Sequence, residues 1–273
     1  MSNRHTSMRV AYLGPGGTYS QEAAIQRLGV LHQPYFCNSL AEVVNAVNSG
    51  IVDYSILPVE NSTNGVVQPA VEALIETAKE GHIKIIDYVS VRVRHQLYTR
   101  MKKLEDIKTV YSHPQVWGQT KIWMAENLPN AAKINSSSSA QGVQLALNND
   151  TDGIAALGGP LTSDESPMVS DCADDSENTT RFLVIIRKGT LASLDCRNTD
   201  QVVSAVIYCT PINEVLKKLS NVSGTVKFMA ASPGKKGWLY SYYLEIYAGV
   251  CKELEKEGFT IIGHTDGKVS DTP

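Results

Sequence analysis

The chain is poor in what metal centres and disulfide frameworks need. Its five cysteines, Cys37, Cys172, Cys196, Cys209 and Cys251, are odd in number, widely spaced and never in a Cys-x-x-Cys pair. That pattern argues against a zinc site or a disulfide scaffold. The six histidines are equally dispersed and form no His-Glu-x-x-His helix, so each is expected at the surface or as a satisfied core residue. A basic surplus is missing too. Lys and Arg number 25 against 28 Asp and Glu, a net charge of -3, whereas a nucleic-acid binder needs a cationic stripe to neutralise phosphates. No apolar run approaches the length of a membrane span, and none precedes the first strand as an export signal would. The expectations are no nucleic acid, no membrane and a cytoplasmic location. No Gly-x-Gly-x-x-Gly or phosphate-loop fingerprint is present, which argues against nucleotide cofactors. Neither cofactor nor metal is expected.

What remains is an ordinary globular composition, 42% hydrophobic and 19% charged, in a chain long enough at 273 residues for two domains. Residues 8–13 read as a short strand broken by Gly14-Pro15-Gly16-Gly17, with Ser20 as the cap of the following helix. A helix over 40–48 stopped by Gly50, a strand over 54–59, a polar loop from Glu60 to Gly65 and a helix over about 67–79 continue the pattern. Residues 83–100 alternate as extended chain, Val91, Val93 and Leu97 against Arg92, Arg94 and Gln96. Next come a strand at 109–111, a helix over 117–127, another over 141–148 and a strand at 153–157. A polar loop then runs over 158–175, followed by a strand at 182–186 and a linker at 188–199. Strands separated by helices imply a mostly parallel α/β sheet. From residue 201 the order becomes strand, helix, strand, strand, helix, strand, which is ferredoxin-like (βαββαβ). Such a single sheet has an edge and a face that need cover, so a homodimer or higher homo-oligomer is expected.

Four junctions run from a strand end through hydroxyls or amides into a helix start: Gly16-Gly17-Thr18, Glu60-Asn61-Ser62, Ser112-His113-Pro114-Gln115 and the serines at 136–139. Any one of them reads as an ordinary helix cap. As a set, with Gln119 added, they point to a site for a small anion at strand carboxyl ends, where helix N-termini offer unpaired N–H groups.

These motifs resemble the prephenate dehydratase family. Gly14-Pro15-Gly16-Gly17-Thr18-Tyr19-Ser20, Val59-Glu60-Asn61-Ser62, Ser112-His113-Pro114-Gln115 with Gln119, the serine cluster and Asn178-Thr179-Thr180-Arg181-Phe182 follow in the family's order. The resemblance implies an α/β, two-lobed, periplasmic-binding-protein type 2-like catalytic domain over 8–188, with crossovers near 90–100 and 175–182. An ACT domain over 200–273 would follow. It implies a carbon-oxygen lyase that converts prephenate to phenylpyruvate in phenylalanine biosynthesis, without cofactor, under feedback by phenylalanine. Carried over by residue, Thr180 donates a proton to the departing hydroxyl, and Asn61, Ser112 and Gln119 position the substrate. Thr18, Ser62, Ser138, Ser139 and Phe182 line its site, with Glu60 and Arg181 as supporting charges. Arg181 has two readings: it clamps a substrate carboxylate in two parallel hydrogen bonds, or it pairs with Glu60.

The chain departs from the family in places. Thr120 stands where a cysteine is usual, and residues 157–175 are more acidic. In the tail, Pro211-Ile212-Asn213 and Ala231-Ser232-Pro233-Gly234 replace the usual effector-site motifs. Rival readings are an arogenate dehydratase, a prephenate decarboxylase that keeps the hydroxyl, and a non-catalytic two-lobed small-anion sensor.

Overall fold

The computed structural model describes residues 8–29, 32–149, 152–189, 201–234, 239–247 and 251–266. These divide into two compact units, one from 8–13, 23–90 and 181–266, the other from 14–22 and 91–180. The expected linker at 188–199 lies almost wholly outside the described residues.

The chain opens with β1 (Met8–Leu13), α1 (Tyr19–Leu28), β2 (His32–Cys37), α2 (Leu40–Asn48), β3 (Tyr54–Asn61), β4 (Gly65–Val66), α3 (Gln68–Ala78) and β5 (Ile83–Arg92), all in the first unit except residues 19–22 of α1 and 91–92 of β5. β1 pairs in parallel with both β2 and β3. Val10, Ala11 and Tyr12 are buried in succession, as in a parallel strand covered on both faces. Ser39 accepts from the Glu42 amide while Glu42 accepts from the Asn38 amide, a reciprocal cap that starts α2. Gly50, at φ 76°, ends it, a left-handed conformation that glycine enters without steric penalty.

The second unit contains β6 (Gln96–Thr99), β7 (Thr109–Ser112), α4 (Lys121–Asn127), β8 (Ala132–Asn135), α5 (Ser139–Leu147) and β9 (Ile154–Gly158). Its four-stranded sheet has the order β6-β9-β7-β8. Leu97, Val110, Met124 and Leu157 form its main core.

Strand β10 (Thr179–Arg187) returns the chain to the first unit, which β11 (Gln201–Thr210), α6 (Ile212–Leu219), β12 (Thr225–Pro233), β13 (Tyr240–Tyr247), α7 (Cys251–Lys256) and β14 (Thr260–Asp266) complete. The large sheet runs β12-β13-β11-β14-β5-β10-β3-β1-β2. The last six elements join it at the pair Gly263↔Ile85, where a side chain on Gly263 would meet the Ile85 carbonyl. Strand alternation sorts two cores. Tyr242, Leu244 and Ile246 pack with Val215 and Leu254 of α6 and α7. Tyr243, of the opposite parity, joins Leu57, Leu74, Ile85 and Leu183.

Two local expectations are corrected. The cap of α1 is not Ser20, which is buried inside the helix; the Gln21 amide donates to Thr18 Oγ1 and the Gly17 amide to Gln21 Oε1. The helix expected over 117–127 is a 3-10 turn, Pro114–Gln119, followed by α4. Asp174 starts α4 from far along the chain, accepting from the Ile122 and Trp123 amides at 3.0 and 2.9 Å. Strands β2 and β8 were not anticipated. Both are edge strands; β2 carries Pro34, and β8 is exposed along its length, so neither shows the alternation that marks a half-buried strand.

Candidate active site

In the second unit most of the singled-out hydroxyls serve the backbone. Thr18 caps α1 as described, and Ser138 Oγ accepts from the Gln141 amide while Gln141 Oε1 accepts from Ser137 N and Oγ. Ser139 is the first residue of α5. Ser112 is fully buried at the end of β7 and donates its hydroxyl to the Leu157 carbonyl at 2.8 Å. That bond uses the proton, so towards any other partner Ser112 acts as an acceptor. A hollow of about 540 Å³ lies against the first turn of α5, lined by Pro15, Arg100, Ser138, Gln141, Thr162 and Glu165. Thr180, partly buried, is the second residue of β10.

Gln119 is held by a residue that had not been singled out. His95 is 3% exposed, and its Nε2 lies 2.6 Å from Gln119 Oε1. An amide oxygen only accepts, so Nε2 carries the proton and the Gln119 NH2 is left for other contacts. Tyr19 stands edge-on to the imidazole and donates to the Arg94 carbonyl. Burial holds His95 below the usual imidazole range, against the opposing pull of Gln119, Asp171 and Asp174. The ring is therefore neutral at pH 7. A signal was available: His95 shares the parity of the buried Val91, Val93 and Leu97, an ionisable side chain on an inward row.

In the first unit, Asn61 closes β3. Its Oδ1 accepts from the Thr63 and Asn64 amides at 3.1 and 2.8 Å, which ties the carbonyl to its own loop. Ser62 is exposed and Phe182 is buried in β10. Arg181 shows the second of its two readings. Its Nε and Nη2 donate to Glu60 Oε2 at 3.2 and 3.0 Å. Its Nη1 donates to both oxygens of Glu245 at 2.7 and 2.8 Å. Glu245 comes from β13, its side chain only 3% exposed, and it takes a further hydrogen bond from Tyr243 at 2.6 Å. The two carboxylates outweigh the burial that would lower the arginine pKa, so it rises above its usual value. Asp174, His95 and Glu245 are the residues that sequence reasoning passed over. Among the described residues no group of three or more His, Cys, Asp or Glu could hold a metal ion. No described helix is long and apolar enough to cross a membrane.

Comparison with known proteins bears on the same segment. The family model for prephenate dehydratase matches residues 10–190. A bifunctional chorismate mutase/prephenate dehydratase of Neisseria gonorrhoeae is 31% identical over 244 residues, 88% of this chain and 66% of that protein. Arogenate dehydratase 2 of Petunia hybrida is 28% identical over 197 residues, 71% of this chain and 49% of its own length. The chain thus spans about two thirds of the first relative and about half of the second. The solved structure of prephenate dehydratase from Arthrobacter aurescens in complex with L-Phe has a similar fold. It superposes with a TM-score of 0.79 at 21% identity, covering 97% of this chain and 92% of that one.

Proposed function

Because the chain belongs to the prephenate dehydratase family, we propose that it is a lyase catalysing the decarboxylating dehydration of prephenate to phenylpyruvate, a step of phenylalanine biosynthesis. The observation that carries this reading is the family match over residues 10–190, with Asn178-Thr179-Thr180-Arg181-Phe182 inside it. In the reaction the bond to the ring carboxylate breaks and releases carbon dioxide. Its electron pair moves into the ring, and the hydroxyl on the opposite carbon leaves as water after gaining a proton. Aromatisation supplies the driving force. The protein therefore needs one proton donor and a set of dipoles that hold a dianion.

Thr180 is the proposed donor, in a role worth about 10² to 10⁴ in rate. A threonine hydroxyl is a weak acid, so transfer occurs only as the leaving oxygen gains charge. The amides of Asn61 and Gln119 suit the rest of the task. Each has its oxygen tied to a protein donor, so the orientation of the amide is set in advance and needs no reorganisation during the reaction. Ser112, Ser138, Ser139, Thr18 and Ser62 complete the proposed substrate contacts. Arg181 and Glu60, already engaged, brace the strands that bear Thr180 and Asn61.

The proposed architecture is a periplasmic-binding-protein type 2-like catalytic domain over 8–188 and an ACT domain over 200–273. The sheet order β12-β13-β11-β14 supports the second part, being that of a ferredoxin-like fold. Phenylalanine as effector, a homodimeric state and a cytoplasmic location belong to the same proposal. The exposed Val226 and Met229 on edge strand β12 support self-association.

The test supplies the purified chain with prephenate and with arogenate separately, and follows phenylpyruvate and phenylalanine. Faster turnover of prephenate is expected. The petunia relative favours a second reading, which preferential conversion of arogenate would establish. No product from either acid would defeat both readings. Titration calorimetry with phenylalanine tests the effector, and no heat at millimolar ligand would remove it.

A further inference from the structure

We propose that Glu245, in the C-terminal segment, is a positioning residue for the dehydration: it fixes Arg181 and so sets the strand ends that carry Thr180 and Asn61. The inference rests on the reading of the reaction given above.

Three strands converge on Arg181. It follows Thr180 directly in β10, and it binds Glu60, which directly precedes Asn61 in β3. Its remaining bonds go to Glu245 of β13. The Phe228 ring of β12 lies under the guanidinium, 5.1 Å from its central carbon. Behind Glu245 the polar chain continues through Tyr243 to Ser204 of β11, at 2.6 and 3.4 Å. One continuous series of polar contacts thus leads from the middle of the C-terminal strands to both proposed substrate-contacting strand ends.

The charges close locally as well. Lys227 of β12 has no hydrogen-bond partner for its buried Nζ, which sits 4.5 and 5.6 Å from the ring centroids of Tyr88 and Tyr247. It is electrostatically coupled to Glu245, Glu60 and Arg181. Two cations and two carboxylates balance in number, with Glu245 the dry carboxylate and Glu60 the one that water reaches. A well-packed apolar cluster of the same volume would hold the strands at least as firmly. What ionic bonds add is direction, since a guanidinium fork tolerates few arrangements of two carboxylates. Glu245 has the right address because it shares the parity of Tyr243, whereas Leu244 and Ile246 face α6 and α7.

The decisive experiment compares the full chain with Glu245→Gln, which keeps shape and removes charge, and with Leu254→Ala, a cavity in the other core of the same segment. Melting temperature, kcat and KM for prephenate are measured for each, at a temperature where all are folded. Glu245→Gln is expected to lower kcat by about tenfold or more with KM changed less than about threefold. Leu254→Ala is expected to lower the melting temperature and leave kcat within about twofold. Wild-type kcat in folded Glu245→Gln, a change in KM alone, or an equal loss of kcat in Leu254→Ala overturns the inference. Should Glu245→Gln fail to fold, Tyr243→Phe replaces it, since it removes one bond to the carboxylate. A fall in kcat of about threefold is then expected, and an unchanged kcat overturns the inference. A wild-type chain inert towards prephenate and arogenate overturns the proposed function and this inference with it. An active wild type with an unaffected variant overturns the inference alone.

Discussion

Replacing Arg181 with methionine removes the cation between Glu60 and Glu245 while keeping a side chain of comparable length. The two contacts differ in weight. Glu60 keeps 41% of its side chain exposed, so water recovers most of what is lost there, and that arm contributes about 1 kcal/mol or less. Glu245, at 3% exposure, cannot be rehydrated. A buried carboxylate stripped of its partner costs about 3–5 kcal/mol. The single variant should therefore lose roughly 4 kcal/mol, on the order of 10 °C in melting temperature. Urea unfolding followed by far-ultraviolet circular dichroism measures the loss. The informative partner is the double variant Arg181→Met with Glu245→Leu, in which the buried carboxylate is removed together with its cation. Its stability should exceed the sum of the single effects by at least about 2 kcal/mol. Additive losses, or a deficit below about 1 kcal/mol in Arg181→Met, would refute the claim that this pair is tightly coupled and dry.

Three further outcomes are expected. Thr180→Val should cut prephenate turnover by at least tenfold with an unchanged circular dichroism spectrum, and an unaltered rate would remove Thr180 as the acid. Asp174→Ala should destabilise the protein by about 1 kcal/mol, because two amides at the start of α4 lose their acceptor; an unchanged urea midpoint would contradict that cap. Burial lowers the pKa of both His95 and His264 in the folded chain. Below about pH 6.5 the unfolded chain then binds more protons than the folded one, so stability should fall as pH drops from 7.5 to 5.5. The slope is up to about 1.4 kcal/mol per pH unit for each histidine. A urea midpoint that stays level or rises on acidification would contradict this.

Much of the fold was legible because its inner strands are bounded by turn residues and alternate or run continuously apolar. The order strand, helix, strand, strand, helix, strand expected after residue 201 matches the observed elements. Strands β2 and β8 escaped because an edge strand need bury nothing. The start of α1 was misplaced by two residues because Thr18 and Ser20, two residues apart, both offer a capping hydroxyl, and only the backbone decides which one caps. The start of α4 depends on Asp174, about fifty residues away, a pairing no local pattern encodes. At the candidate site the residue types were visible and their partners were not. Gln119 was picked out but the His95 that orients it was counted among scattered histidines. The pairing of Arg181 with Glu60 was weighed, while its tighter partner Glu245 stood in a strand read only for hydrophobic pattern.

The joint at Gly263 and Ile85 bears on any attempt to shorten this chain. Strand β14 covers one side of β5 there, and Val206, Tyr243 and Ile262 close the core over Leu57 and Leu74. Cutting after β10 would bare both that apolar surface and a strand margin open to pairing with a neighbouring molecule. Such a fragment should precipitate. Point changes within the C-terminal segment are the safer engineering route.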